Sequence, residues 1–333
     1  MGGNPGRWNY TNPDPPYRIA NGVEAWAIAL KGDWIGRKMP TSAEIEDYDL
    51  VIANLNPANI PSYLQLIRRK PAKQRWVALI EGCGFDYLDA SPPLRELMNL
   101  CNLVANINLY TTAYLQHLTT TPVEWIGIPY PIQQVKEFET SPDLHRNEVL
   151  ICPRQQRTPS FLVAEALGVP VRAYFQKVSR TPKNLKLYLE EGYFGKDLKV
   201  KRWLEEKNST LKIGEIERDM PTFWRDGGGC KLWVNLDPRY TWGRFVLDAA
   251  ALGVPIISTK SSAHASILFP ETTVDNAFCI DEGIDIGKRL LSDEAFRLKV
   301  IHTSQAGLQE FSSESCVNRL LKALEKETET ETQ

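Results

Sequence analysis

The chain has 333 residues, a formal net charge of −2, 43% hydrophobic and 24% charged residues. That balance suits two packed domains of ordinary size and excludes a disordered chain, and the near-neutral charge advertises neither nucleic acid nor a membrane surface. No apolar run approaches the ~20 residues of a spanning helix, so no membrane span is expected. The six cysteines, Cys83, Cys101, Cys152, Cys230, Cys279 and Cys316, form no C-x-x-C pair. They read as buried free thiols of a reducing compartment rather than disulfides or metal ligands. The N-terminus MGGNPGRWNYTNPDPP is polar and lacks the basic-then-apolar pattern of a secretory signal. A cytoplasmic location is the expectation.

Residues 1–16 read as an N-terminal arm. Val23–Leu30 is ambiguous between a strand after a turn at Asn21-Gly22 and a short helix; the alternation of Trp26 and Ile28 with Ala favours the strand. From Ala43 the chain alternates strands and helices. Tyr48–Asn54, Arg75–Ile80, Leu103–Asn106 and Val123–Ile128 read as strands. Pro61–Arg69, Pro92–Asn99 and Thr111–Leu118 read as the helices between them. This rhythm predicts a parallel sheet covered on both faces, here over residues 17–132. The polar stretch 133–148 has linker composition.

A second α/β unit is expected over 149–312. Val149–Arg154 reads as its first strand, followed by a helix over Ser160–Leu167 and a strand over Val169–Phe175. Thr181–Lys207 reads as charged and helical, with Tyr188, Tyr193, Phe194 and Trp203 spaced through it, and Lys177–Lys207 interleaves Lys and Arg with aromatics, as an amphipathic helical hairpin or a nucleic-acid contact would. Leu211–Ile216 reads as a strand and Pro221–Gly227 as a short helix or turn, with Asp226-Gly227-Gly228-Gly229 a flexible turn. Ala263–Leu268 reads as a short element, Ala277–Ile280 as a strand, and Asp285–Leu291 and Asp293–Phe311 as helices. A last helix over 313–326 and a disordered acidic tail over 327–333 complete the chain.

The most informative stretch is Cys230–Lys260. Lys231–Leu236 is an apolar, β-branched and aromatic run that Asp237-Pro238 ends. Trp242-Gly243 opens a helix over Arg244–Leu252, Gly253 suits its left-handed closing position, and Val254–Ser258 is the next buried strand. A strand–loop–helix of this kind presents a helix N-terminus at the carboxyl edge of a parallel sheet, where phosphates bind.

The run GRFVLDAAALGVPIIST resembles the nucleotide-sugar-binding core of GT-B glycosyltransferases, in particular the retaining family-4-type enzymes (glycosyl transferases group 1). IGIPYP, Ile126–Pro131, resembles the end of their amino-terminal domain. The resemblance implies two Rossmann-like parallel-sheet domains facing a cleft, with the final helix crossing back onto the first. It also implies a nucleotide-diphosphate sugar, a UDP-sugar first among them, as co-substrate rather than a tightly bound cofactor. Asp248 stands where those enzymes carry the second Glu of E-x7-E, a nucleoside-binding role, and Tyr240 stands where they carry the first. An Asp is one methylene shorter than Glu, and a Tyr cannot supply charge, so neither the sugar nor the anomeric outcome can be read from the motif.

Chemistry assigns the remaining candidates. Arg154 and Arg157, past the first strand of the second unit, suit the diphosphate because a guanidinium holds phosphate oxygens bidentately; two solvated loop arginines are the plainer reading. Lys177 and Arg180 are further candidates. Trp242, Gly243 and Arg244 add amides and charge at a helix N-terminus. Asp237 and Tyr240, flanked by Arg239 and Thr241, are the sugar-side candidates. Glu81 and Asp86, with Asp89, lie in the Gly-rich turn after Arg75–Ile80, as acceptor-side carboxylates or ordinary turn residues. That layout is similar to phage DNA glucosyltransferases, where an Asp in such a loop serves as base. His264, in SSAHAS, is either a donor-side group or a surface-loop histidine. His117, His145, His264 and His302 form no metal-spaced set.

The expected function is therefore transfer of a sugar from a nucleotide donor to a hydroxyl on a hydroxymethylated DNA base, glycan, lipid or protein, by a monomer or homodimer. The alternative is a non-catalytic nucleotide- or glycan-binding protein with the same shell. A dehydrogenase is disfavoured because no G-x-G-x-x-G follows a strand in the first unit.

Overall fold

The structure, a computed structural model, describes residues 7–8, 22–36, 39–81, 91–152, 158–176, 206–207, 210–216 and 220–331. Its strands are β1 (Arg7–Trp8), β2 (Trp34–Ile35), β3 (Leu50–Asn54), β4 (Arg75–Ile80), β5 (Leu103–Asn106), β6 (Val123–Trp125), β7 (Arg146–Ile151), β8 (Val171–Gln176), β9 (Lys212–Ile216), β10 (Cys230–Asn235), β11 (Ile256–Thr259) and β12 (Thr273–Val274). Its helices are α1 (Ala25–Ala29), α2 (Ser42–Ile45), α3 (Ile60–Ile67), α4 (Pro92–Leu100), α5 (Thr112–Gln116), α6 (Ile132–Lys136), α7 (Thr158–Ala166), α8 (Met220–Gly228), α9 (Arg244–Ala251), α10 (Ala265–Leu268), α11 (Ile280–Ser292), α12 (Glu294–Gly307) and α13 (Ser313–Glu331).

The first sheet has the order β3-β4-β5-β6, all parallel. Its residues alternate between faces with the period of two that a pleated strand imposes. Trp76, Ala78 and Ile80 join the core of Leu64, Ile67, Leu94, Leu97 and Met98 from α3 and α4. Val77 and Leu79 point the other way, into a core that continues into the second half. The second sheet has the order β12-β11-β10-β7-β8-β9, also parallel. After β7 the chain builds outward through β8 and β9, then returns to lay β10, β11 and β12 on the other side. The carboxyl ends of β7 and β10 therefore flank a topological switch point, where open parallel sheets leave a crevice for ligands.

The chain passes between the halves twice. The first passage is Ile126–Pro131 and the second is the 3₁₀ turn Leu308–Phe311; the Tyr130 amide donates to the Phe311 carbonyl at 2.8 Å and ties them together. Helix α13 then packs on α1 and β5 of the first half, burying Cys316, Leu320, Ala323 and Leu324. Arg319 Nε donates to the Ile126 carbonyl at 3.1 Å, and Lys326 reaches Glu124 at 3.2 Å.

Several elements differ from the sequence expectation. Val23–Leu30 is not a strand. The Ala25 amide bonds the Gly22 carbonyl and the Leu30 amide the Trp26 carbonyl, both at 3.0 Å, the short-range bonds of a helix, and α1 buries Ala25, Trp26 and Ala27. Asp226–Gly229 is not a flexible turn but mostly the end of α8. Its glycines serve close packing: a Cβ on Gly227 would lie 2.6 Å from Trp233 Cζ2, and Trp233 Nε1 donates to the Gly227 carbonyl at 2.9 Å. Ala277–Ile280 is not a strand; the Asn276 side chain captures the Phe278 amide at 2.9 Å, removing a ladder donor, and the sheet edge is β12. Strand β7 begins at Arg146, inside the stretch read as linker. Helix α13 runs on to Glu331 through the stretch read as a disordered tail, since Glu favours helix and neither Gly nor Pro stops it. Arg7–Trp8 of the arm pairs antiparallel with β2. The segment 181–205 lies outside the described residues.

Candidate functional site

The carboxyl edges of the two sheets face each other, and Asn108 joins them. Asn106 closes β5, and its Nδ2 bonds Thr111 Oγ1 at 2.9 Å and Thr112 Oγ1 at 3.1 Å, which shapes the turn beyond the strand. That turn aims Asn108 across the cleft. Its Nδ2 donates to the carbonyls of Thr241 at 2.8 Å and Ser261 at 3.0 Å, and its Oδ1 accepts from the Tyr110 amide at 3.0 Å. The Tyr110 hydroxyl adds a bond to Ser266 Oγ at 2.6 Å. Sequence reading passed over Asn108, although two asparagines at the end of an apolar strand are a signal in themselves, because strands disfavour Asn.

On the second sheet, the loop after β10 is built as a rigid unit. The Asp237 carbonyl accepts from Thr259 Oγ1 at 2.7 Å and Ser261 Oγ at 2.6 Å, and the Leu236 amide donates to Ser160 Oγ at 2.8 Å. The Asp237 carboxylate is buried and held by Arg239 through Nε at 2.9 Å and a terminal nitrogen at 2.7 Å. Tyr240 stands 43% exposed beside it. Gly243 takes φ +72° to turn the chain into α9, and a Cβ there would lie 2.8 Å from the Ser262 carbonyl oxygen, so the loop after β10 rests directly on the loop after β11.

Arg244 occupies the first turn of α9, and its side chain is 11% exposed. Its Nε is buried and makes no hydrogen bond among the described residues; Asp248 lies 3.6 Å away. Asp248 itself is fully buried, and its Oδ1 accepts from the Tyr130 hydroxyl. Burial, then the Asp248 charge and that hydrogen bond, push the Tyr130 hydroxyl well above its ordinary pKa, so it stays protonated and donates. Gly253 closes the helix with φ +66°, as the sequence implies.

The remaining candidates divide. Glu81, half-buried, follows β4 at the carboxyl edge, beside the strand that carries Asn108. Asp86, Asp89, Arg154, Arg157, Lys177 and Arg180 lie outside the described residues. His264 is no surface residue: it is fully buried against Phe311, ring centroids 4.3 Å apart, and neither ring nitrogen has a hydrogen bond among the described residues. Burial, with Arg319 nearby, pushes its pKa down to about 3. Among the described residues no cluster of His, Cys, Asp or Glu suits a metal ion, and no helix is long and apolar enough to cross a membrane.

No family model matches the sequence, and no curated protein matches it by sequence. Solved structures do match by shape. The sucrose-phosphate synthase of Thermosynechococcus elongatus superposes with a TM-score of 0.61 at 14% identity, over 84% of this chain and 73% of that one. The α,α-trehalose-6-phosphate synthase of Burkholderia multivorans gives 0.63 at 12% identity, over 87% and 74%. Anabaena HepE, solved with UDP and glucose, gives 0.61 at 17% identity, over 86% and 80%. With two parallel α/β halves, opposed carboxyl edges and a last helix returning to the first half, the chain has the GT-B fold.

Proposed function

We propose that this protein is a glycosyltransferase that moves a sugar from a nucleotide-diphosphate donor, a UDP-sugar first among them, to a hydroxyl acceptor. The observation that carries the reading is the switch point of the second sheet. The carboxyl ends of β7 and β10 flank it, the N-terminus of α9 opens from it, and Arg244 lies there with its Nε not hydrogen-bonded among the described residues. A diphosphate supplies what this arrangement lacks: oxygens for the guanidinium and negative charge at a helix N-terminus. Arg154 and Arg157, in the loop that follows β7, would complete the seat. Two structural neighbours agree with a UDP-sugar: HepE was solved with UDP and glucose, and an Escherichia coli neighbour with UDP-2-fluoro glucose.

On the acceptor side, Glu81 stands at the carboxyl edge of the first sheet, in the half opposite the donor, where a carboxylate orients or deprotonates a hydroxyl. Tyr240 and the loop it stands on lie on the sugar side. Because Arg239 neutralises Asp237, that loop offers hydrogen bonds rather than free negative charge.

A thermal-shift panel of UDP-, GDP-, ADP- and dTDP-sugars tests the donor. One nucleotide should raise the melting temperature, since ligand at a hundred times its dissociation constant adds about 2.7 kcal/mol. A panel with no shift from any donor sinks the proposal. Transfer assays on hydroxymethylated DNA, glycan, lipid and protein acceptors then separate the acceptor classes; binding without transfer on any of them supports a binding protein with this shell.

A further inference from the structure

We infer that Asp248 is an internal counter-ion of the donor site, positioned by Tyr130, that neutralises Arg244 and yields it to an incoming diphosphate. The inference rests on the donor site proposed above and assigns Asp248 a role other than contact with the nucleoside.

The carboxylate is turned inward. Asp248 is fully buried in the second turn of α9, and its Oδ1 accepts from the Tyr130 hydroxyl. A ribose that takes Oδ1 must displace that hydroxyl, and one that takes Oδ2 must come between Asp248 and Arg244. Tyr130 is not free to withdraw: its amide is bonded to Phe311 at 2.8 Å and its carbonyl to the Ile132 amide at 2.9 Å, both within the two passages that join the halves.

The second oxygen faces Arg244, yet the pair is left open. Oδ2 stands 3.6 Å from Arg244 Nε. A closed, charge-assisted bond would lie at about 2.7–2.9 Å. The Tyr130 hydroxyl holds the carboxylate back at this separation. The guanidinium is thus neutralised by proximity, which lowers the cost of burying it, without its Nε donor being consumed. A diphosphate, with more charge than one carboxylate and a geometry that matches the guanidinium fork, out-competes Asp248 for that donor.

Calorimetric titration of UDP and of inorganic pyrophosphate against the full chain tests the inference. Asp248→Asn removes the competing charge but keeps an acceptor for Tyr130. It should bind both ligands more tightly than wild type by about tenfold, the equivalent of 1.4 kcal/mol. Tyr130→Phe frees the carboxylate to close on Arg244 and should weaken both ligands together. Because pyrophosphate carries no nucleoside, Asp248→Asn weakening UDP but not pyrophosphate makes Asp248 a nucleoside ligand and overturns the inference. Unchanged binding of both ligands in both variants makes the contact purely structural and overturns it as well. If Tyr130→Phe fails to fold, Asp248→Asn decides alone, by whether pyrophosphate raises its melting temperature more than that of the wild type. A wild type that binds neither ligand removes the donor site itself, and with it this inference.

Discussion

Asn108 Nδ2 donates to the Thr241 carbonyl at 2.8 Å, so a side chain at the end of a first-half strand fixes the loop that enters α9 in the second half. The same nitrogen reaches Ser261 at 3.0 Å, and Ser261 in turn accepts from the Thr241 amide at 3.0 Å. One buried side-chain amide of the first half therefore closes a ring with the backbone groups of Thr241 and Ser261 in the second. Asn108→Ala strands the Thr241 carbonyl, at about 1–3 kcal/mol where no water replaces the donor, and leaves the Ser261 carbonyl with the Thr241 amide. Urea melts should show that loss, and the apparent affinity for a UDP-sugar should fall with it, because the loop before Gly243 loses its support.

At Gly243 a single methyl group meets both a left-handed backbone and a backbone carbonyl. Gly243→Ala forces a left-handed backbone on an L-residue, worth about 1–2 kcal/mol, before the clash with the Ser262 carbonyl is counted. The variant should melt lower and should lose nucleotide binding more than stability, since the N-terminus of α9 is displaced. Circular dichroism melts alongside UDP titration check both halves of that statement.

Arg244→Ala should weaken binding of pyrophosphate and UDP alike, by tenfold or more at about 1.5–3 kcal/mol for a charged hydrogen bond. Arg244→Lys restores charge without the fork and should recover only part of the affinity. Equal binding by all three proteins would place the phosphates elsewhere.

One buried histidine, His264, and one half-buried histidine, His145, shape the response to acid. The pKa of His145 is pushed down to about 4, first by burial and then by Arg297, against the smaller opposite effects of Thr140 and Glu294; Arg146 lowers it further. That of His264 is pushed down to about 3 by burial and by Arg319. Both are neutral when folded and titrate near 6.5 when unfolded, so the unfolded chain binds more protons below that pH. Their contribution is fully present above about pH 6.5 and is lost as the pH falls toward the folded values, at up to about 1.4 kcal/mol per pH unit for each. The melting temperature should fall between pH 7 and pH 5, and His264→Phe should flatten that slope. A pH-independent melt over this range would contradict the lowered pKa values of both rings.

Arg319 secures the returning helix. Its guanidinium bonds the Ile126 carbonyl at 3.1 Å and the Glu310 carboxylate at 3.1 Å, and it lies over the Trp125 ring at 4.7 Å. Arg319→Ala should cost about 1–3 kcal/mol and open α13 to limited proteolysis ahead of global unfolding. Cleavage at the same rate as in wild type would show that the buried apolar face of the helix suffices.

Much of the fold was legible where local pattern and burial agree. Arg75–Ile80 and Leu103–Asn106 are buried parallel strands whose bounds follow from apolar runs between turn residues, and the structure keeps both. Gly253 closes α9 because a left-handed position after an apolar helix admits little else. Legibility ended where a short segment suits two periods. Ala25–Ala29 is apolar at every spacing, so only packing against the first half makes it a helix. Gly227 and Gly228 read as flexibility, and only the indole of Trp233 and the carbonyl of Phe138 beside them show that closeness is what they provide.

The site divides in the same way. By itself the sequence determined the strand–loop–helix of residues 230–260, the placing of Gly243 and Arg244 at a helix N-terminus and Glu81 after a buried strand, because these depend on neighbours along the chain. Tertiary structure alone decided what Asp248 faces, that Arg239 neutralises Asp237, that His264 is buried, and that Asn108 spans the cleft. The physical reason is distance in sequence. Tyr130 and Asp248 are 118 residues apart and Asn108 and Thr241 are 133 apart. Whether a carboxylate meets water, a ligand or a tyrosine hydroxyl is set by which surfaces the fold brings together, and no local pattern of residues carries that information.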